Sequence, residues 1–281
     1  MREAAPIALG AYVEGFPADD AALDRYARLV GDSPAILHVF RNWTDATRDF
    51  DPALARRVAA GGATPMISWQ PWDGLGPIVA GEGDDYARAY ASGIAAWGGR
   101  LLLRFAHEMN GEWIAWGEPA NAYRDAWHRL RAIFAAEGAT NVEWVWSPHV
   151  ADGRARRFEP YFPGSDAVEW VALDGYNWGG RDWRGFEEIF GESYAALTRL
   201  APGRPVMLAE IGCAEAGGDK AAWIADAFGR AIPQRMPAIR AVAWFHASPR
   251  GHRDWRVDSS PRALAAWRAV TADPRYAGTL V

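Results

Sequence analysis

The sequence predicts an α/β protein: a single (β/α)8 TIM barrel covering residues 1–281. Three observations carry that expectation. Eight apolar, β-branched-rich runs recur along the chain, helical patterns lie between them, and charged or aromatic residues gather where the runs end. The runs are IALGAYVE (7–14), AILHVF (35–40), TPMISWQP (64–71), RLLLRFAHE (100–108), VEWVWSP (142–148), VEWVALDGY (168–176), PVMLAEIG (205–212) and IRAVAWFHA (239–247). Three of the intervening patterns, DDAALDRYARLVG, DPALARRVAAGG and DDYARAYASGIAAWGG, open on Asp residues suited to an N-cap and close on Gly. Further helices are expected in NAYRDAWHRLRAIFAAEG, GFEEIFGESYAALTRL, DKAAWIADAFGRAI and SSPRALAAWRAV. The segment after the fifth strand, HVADGRARRFEPYFPGSD, holds too much Pro and Gly for a long helix. A doubly wound open sheet is the alternative, but GAYVEG lacks the spacing of a phosphate-binding glycine turn.

Composition narrows the function. Half the residues are hydrophobic, 23% are charged, and the formal net charge is −5. No basic surplus exists to neutralise phosphates, so a nucleic-acid partner is not expected. No run approaches the ~20 apolar residues of a membrane span. Cys213 is the one cysteine, which rules out an intrachain disulfide and a cysteine-based metal cluster. The beginning of the chain has no charged-then-apolar leader pattern. The expectation is a secreted enzyme whose leader is missing from this sequence, with a cytoplasmic one as the alternative. Sixteen tryptophans are many for this length. They suit either a large core or a cleft of flat apolar faces for sugar rings.

In such a barrel, reacting groups sit at the carboxyl ends of strands. That filter selects His38, Phe40, Arg41, Trp69, Arg104, His107, Glu108, Trp146, Ser147, Asp174, Tyr176, Asn177, Glu210, Trp244 and His246. Alternation along a strand sets Arg104, Ala106 and Glu108 on one face of the fourth strand, and Val206, Leu208 and Glu210 on one face of the seventh. A carboxylate closing an apolar strand must be used or paired. Glu112, four residues past the strand, is read as a solvated loop acid. Two carboxylates facing one cleft match glycoside hydrolysis, with a separation of ~5–5.5 Å in retaining enzymes.

RFAHEMNGEW, VWSP, LDGYNWG, PVMLAEIG and AVAWF, in this order, resemble glycoside hydrolase family 26. That family belongs to a clan of (β/α)8 retaining β-glycanases. Its members are mostly endo-β-1,4-mannanases, with some β-1,3-1,4-glucanases and β-1,3-xylanases. The resemblance implies Glu108 as acid/base, with a raised pKa, and Glu210 as an ionised nucleophile. It implies Tyr176 as a donor to that nucleophile, His107 as a contact to the sugar or a carboxylate, and His38 as a neighbour of the reacting sugar. Trp113 and Trp244 would flank that sugar, Trp244 as its platform. Trp69, Trp72 and Trp116 could line the cleft or fill the core. Arg104 could hold a carboxylate ionised or merely neutralise a buried charge.

The expected protein is a monomeric retaining endo-β-glycanase without cofactor or metal. Its partner is a polysaccharide or oligosaccharide, first of all β-1,4-mannan; mixed-linkage β-glucan and β-1,3-xylan are the alternatives. A non-catalytic carbohydrate-binding barrel is the competing class.

Overall fold

The computed structural model describes residues 5–44, 48–117, 119–249 and 253–280. Eight parallel strands close into a barrel in chain order. They are β1 (Ala8–Val13), β2 (Ile36–Asn42), β3 (Thr64–Gln70), β4 (Leu101–Phe105), β5 (Val142–Trp146), β6 (Trp170–Asn177), β7 (Val206–Cys213) and β8 (Ile239–His246). Helices α1 (Asp20–Val30), α2 (Pro52–Ala60), α3 (Gly76–Ala80), α4 (Asp84–Trp97) and α5 (Ala120–Ala136) cover the first half. Helices α6 (Phe186–Leu200), α7 (Lys220–Asp226), α8 (Ile232–Arg235) and α9 (Pro261–Thr271) complete the outer layer. Among the described residues, no helix is long and apolar enough to cross a membrane.

Local chemistry explains the helix boundaries. Asp19, Asp51, Asp219 and Ser260 cap α1, α2, α7 and α9 by accepting from backbone N–H groups of the first turn. Gly31 and Gly98 end α1 and α4 in the left-handed conformation. The expected Asp cap of α4 is corrected: Gly83 precedes the helix, and Asp84 instead accepts two hydrogen bonds from Arg129 at 2.7 and 2.8 Å. Between β5 and β6 the chain forms two short 3-10 turns, Glu159–Tyr161 and Ser165–Ala167, as its Pro and Gly content leads one to expect.

Two apolar layers result from strand alternation. Ala8, Ile36, Met66, Leu102, Val145, Ala172, Met207 and Ala241 fill the barrel interior. Leu9, Leu37, Ile67, Leu103, Trp144, Leu173, Leu208 and Val242 face the helices. The interior is packed by Ala, Ile, Leu, Val and Met below and left polar above, so the site lies at the carboxyl end.

Two expectations about alternation change. Strand β4 ends at Phe105, and the chain then turns with φ of 46° at Ala106 and 52° at Glu108. Ala106 therefore packs with the outer cluster rather than with Arg104. On β7, Val206 and Leu208 also face outward. Leu173 pairs with Leu208 but Asp174 pairs with Glu210, so Ala209 is one extra residue opposite β6. This bulge re-aims Glu210 into the barrel.

Candidate active site

A fully buried guanidinium organises the floor of the site. Arg104 donates through Nε to Ser68 Oγ at 2.7 Å and through Nη1 to Asp174 Oδ1 at 2.8 Å. Its Nη2 donates to Glu210 Oε1 and lies 3.3 Å from His38 Nε2. Ser68 Oγ, which accepts from Arg104, is 2.6 Å from His38 Nε2 and can donate to it. Burial and the Arg104 charge hold His38 well below the usual imidazole range, so it is neutral.

Glu210 has a donor on each oxygen, Arg104 on one and the Tyr176 hydroxyl on the other. Burial raises its pKa, Arg104 opposes this, Glu108 adds to it, and the net direction is up. Asp174 is pushed well above the carboxylate range by burial, despite Arg104 and with help from Glu210. Its Oδ1 also accepts from Ser147 at 2.9 Å, whereas its buried Oδ2 has no partner among the described residues. Arg104 supplies one positive charge to two carboxyls. A neutral Asp174 leaves that charge to Glu210, which stays the anion of the pair. Burial, Glu210 and Glu108 raise Tyr176 well above its ordinary range, so it remains a hydroxyl donor.

Glu108 is mounted differently, on the turn after β4. Its amide donates to Ser147 O at 2.7 Å, and its own carbonyl accepts from Gly111 at 2.8 Å. A non-glycine residue at φ 52° is strained, and strain of this kind persists where neighbours over-determine the backbone. Trp113 Nε1 donates to Glu108 Oε2 at 2.6 Å, and His149 Nδ1 shares a hydrogen bond of 2.8 Å with Oε1. The expected upward shift of Glu108 is corrected. Burial does push it up, but the charge and hydrogen bond of His149, with Trp113 and Arg104, outweigh burial and hold it below its usual value.

Glu108 and Glu210 line one open cleft of about 510 Å³, together with Trp113, His149, Arg154, Tyr176, Trp178, Phe245, Pro249 and Trp255. Four residues singled out from the sequence thus share its wall: Glu108, Glu210, Trp113 and Tyr176. Arg104 and His38 lie beneath as support. His107 is buried between Phe40 and Trp116, ring centroids 5.7 and 5.8 Å away, and its Nδ1 has no partner. It makes no hydrogen bond to either glutamate among those described.

Trp244 is a correction as the sugar's platform, and Trp69 and Trp116 take the core side of the two readings rather than the cleft side. Trp69 is fully buried on the outer face of β3, stacked on Tyr90 and donating to Tyr86 at 2.9 Å. Trp244 is likewise fully buried on the outer face of β8, against Trp223 and Trp267 of the helical layer. Alternation gives the inward place to Phe245, its neighbour. Trp116 is fully buried behind the cleft, with Nε1 donating to His107 O at 2.7 Å. Trp72 is exposed and leans on Trp116, outside the wall described above. Most of the tryptophan excess is therefore core, with Trp113, Trp178 and Trp255 as the cleft's share.

Sequence reasoning missed His149, Arg154, Trp178 and Trp255. Trp178 follows Asn177 inside LDGYNWG, and His149 follows VWSP directly, so both sat beside matched motifs. Arg154 pairs with Asp182 at 3.0 Å and lies over the Trp178 ring. Glu112 is an exposed loop acid near Arg156, as expected.

Residues 97–228 match the model of Glycosyl hydrolase family 26. Endoglucanase H of Acetivibrio thermocellus is 34% identical over 274 residues, 92% of this chain and 30% of that protein. A mannan endo-1,4-beta-mannosidase of Bacillus subtilis is 28% identical over 156 residues, 51% of this chain and 38% of that one. The chain thus spans well under half the length of these curated relatives. A solved Bacillus subtilis mannanase superposes with a TM-score of 0.70 at 21% identity, covering 97% of this chain and 86% of that one. At that identity the superposition speaks for the fold alone. Residues 97–228, which carry both the strand-four and the strand-seven glutamate, thus match glycosyl hydrolase family 26.

Proposed function

We propose that this barrel is a retaining endo-β-glycanase, with Glu108 as acid/base and Glu210 as nucleophile. One observation carries the reading. Two glutamates face one cleft, and each is held by its own donors in a different electrostatic setting. Glu210, kept anionic by Arg104 and Tyr176, attacks the anomeric carbon. Glu108 delivers a proton to the departing glycosidic oxygen, so that the carbon–oxygen bond breaks as the ester to Glu210 forms. Water then attacks the same carbon, gives its proton to Glu108, and releases Glu210. Trp113, Trp178, Trp255 and Phe245 offer the flat apolar faces that pack on sugar rings.

For the substrate we favour a β-glucan backbone. The relative that aligns over 92% of this chain is named an endoglucanase, while the mannosidases align over 27–51% of it. Mannan is the second reading, supported by those relatives' names. The two sugars differ in the orientation of one hydroxyl, next to the reacting carbon. A secreted site of action suits a polymer too large to enter a cell.

The test is a panel of mixed-linkage glucan, cellulose derivatives, mannan and β-1,3-xylan, with product lengths measured. Internal cleavage of a glucan is expected. Glu108→Gln should lower kcat by about 10²–10⁴-fold, and Glu210→Gln should lower it at least as much. Undiminished activity in both variants would exclude the assignment.

A further inference from the structure

We propose that His149 is the proton partner of Glu108. It is a positioning residue that, backed by Asp152, holds the acid/base carboxylate and hands it a proton for leaving-group departure. The inference rests on the glycosidase reading given above. Its own basis is the hydrogen-bond inventory of three groups in line. His149 Nδ1 faces Glu108 Oε1 at 2.8 Å, and Nε2 faces Asp152 Oδ2 at 3.3 Å. An ionised carboxylate only accepts, and a neutral imidazole has one N–H. Two hydrogen bonds in this chain therefore require one proton more than two carboxylates and a neutral ring supply. The extra proton sits either on the ring or on a carboxyl.

The imidazole is built in rather than placed by chance. Its side chain is almost fully buried, and Trp113 packs edge-on against it with ring centroids 4.9 Å apart. Its backbone is clamped by Asn110, which accepts from His149 N at 2.9 Å and donates to His149 O at 2.9 Å. Asn110 is two residues past Glu108, so one loop both carries the acid and fixes its partner.

The proton balance closes over one turnover. The Nδ1 proton passes to Glu108 and from there to the glycosidic oxygen, while the ester to Glu210 forms. The chain of three is then one proton short. The attacking water restores that proton through Glu108 as the ester breaks, and Glu210 leaves as a carboxylate. Other charges facing the pair are Arg104 from β4, Asp174 and Tyr176 from β6, Glu210 from β7, and Arg154 beside Asp152. Burial disfavours a charged His149, but Glu108 and Asp152 outweigh it and raise its pKa to about 10.

The experiment pairs an NMR titration of the imidazoles with pH profiles of kcat/KM for wild type, His149→Asn and Asp152→Asn. The signal absent from His149→Asn identifies the ring. In wild type His149 should keep both ring protons through pH 8, and Glu108→Gln should lower its pKa. His149→Asn should move the alkaline limb of kcat/KM to lower pH by a unit or more. Its deficit relative to wild type then grows by about 10-fold per pH unit of that shift. Asp152→Asn, which keeps the ring, should move the limb the same way by less, and serves if His149→Asn does not fold. A wild-type His149 titrating at or below the ordinary imidazole value would overturn the proposal. So would a deficit constant across pH in both variants. Retained activity in both Glu108→Gln and Glu210→Gln overturns the glycosidase reading instead, since the titration needs no substrate.

Discussion

The two sides of the cleft are built on different principles. Glu210 sits on a strand, re-aimed by a bulge, and its donors Arg104 and Tyr176 also come from strands. Glu108 sits on a strained turn, and its donors Trp113 and His149 come from loops. The first side provides one geometry and one charge state, as a nucleophile needs. The second provides a carboxylate bonded to a group that can itself gain and lose a proton. Rigid support and proton exchange are thus separated between barrel and loops.

The largest effect that would break this contrast is at Arg104. Arg104→Met should leave Glu210 buried without a countercharge and Asp174 without a donor. A loss of about 3–5 kcal/mol, seen as a lower midpoint in denaturant, is expected from removing one member of a buried pair, and activity should vanish with it. Next come the single donors. Tyr176→Phe removes one hydrogen bond to a charged group, about 1.5–3 kcal/mol, and should reduce kcat by about 10- to 100-fold. Trp113→Phe should cost Glu108 its second donor and, unlike Tyr176→Phe, should also change the pH profile. Smallest for activity is Trp244→Phe, which should lower thermal stability while leaving KM unchanged, because that ring packs among helices. A raised KM in that variant would return Trp244 to the cleft.

Stability should follow pH unequally on the two sides. The raised pKa of His149 makes its contribution full below the ordinary imidazole value of about 6.5. That contribution is lost as pH rises toward about 10. The stability gap between wild type and His149→Asn should therefore narrow across that interval in denaturant titrations at fixed salt.

Much of this was legible beforehand, for physical reasons that differ by element. The barrel follows from periodicity, since β2 and β7 are apolar runs that no helix pattern fits. Glu210 was identified correctly as inward-facing, but for a reason the structure replaces. Simple alternation with Val206 and Leu208 points it outward, and the bulge at Ala209 reverses that. Trp244 was misplaced because alternation was not carried through β8, where Phe245 takes the inward position; the same alternation on β3, with Ser68 inward, decides for the core at Trp69. The shift of Glu108 could not be read at all. Its sign depends on His149, about forty residues away in sequence, and on a turn whose positive φ values no local pattern announces.

The central claim is that Glu210 forms the covalent bond and Glu108 manages the proton. Its most direct test is to incubate the protein with activated 2-deoxy-2-fluoro β-glycosides of the gluco and manno series, then map the adduct by peptide mass spectrometry. The account predicts one sugar per chain, attached to Glu210, accumulating in wild type and absent from Glu210→Gln. An adduct on another residue, or turnover releasing the inverted anomer with no adduct, would contradict it.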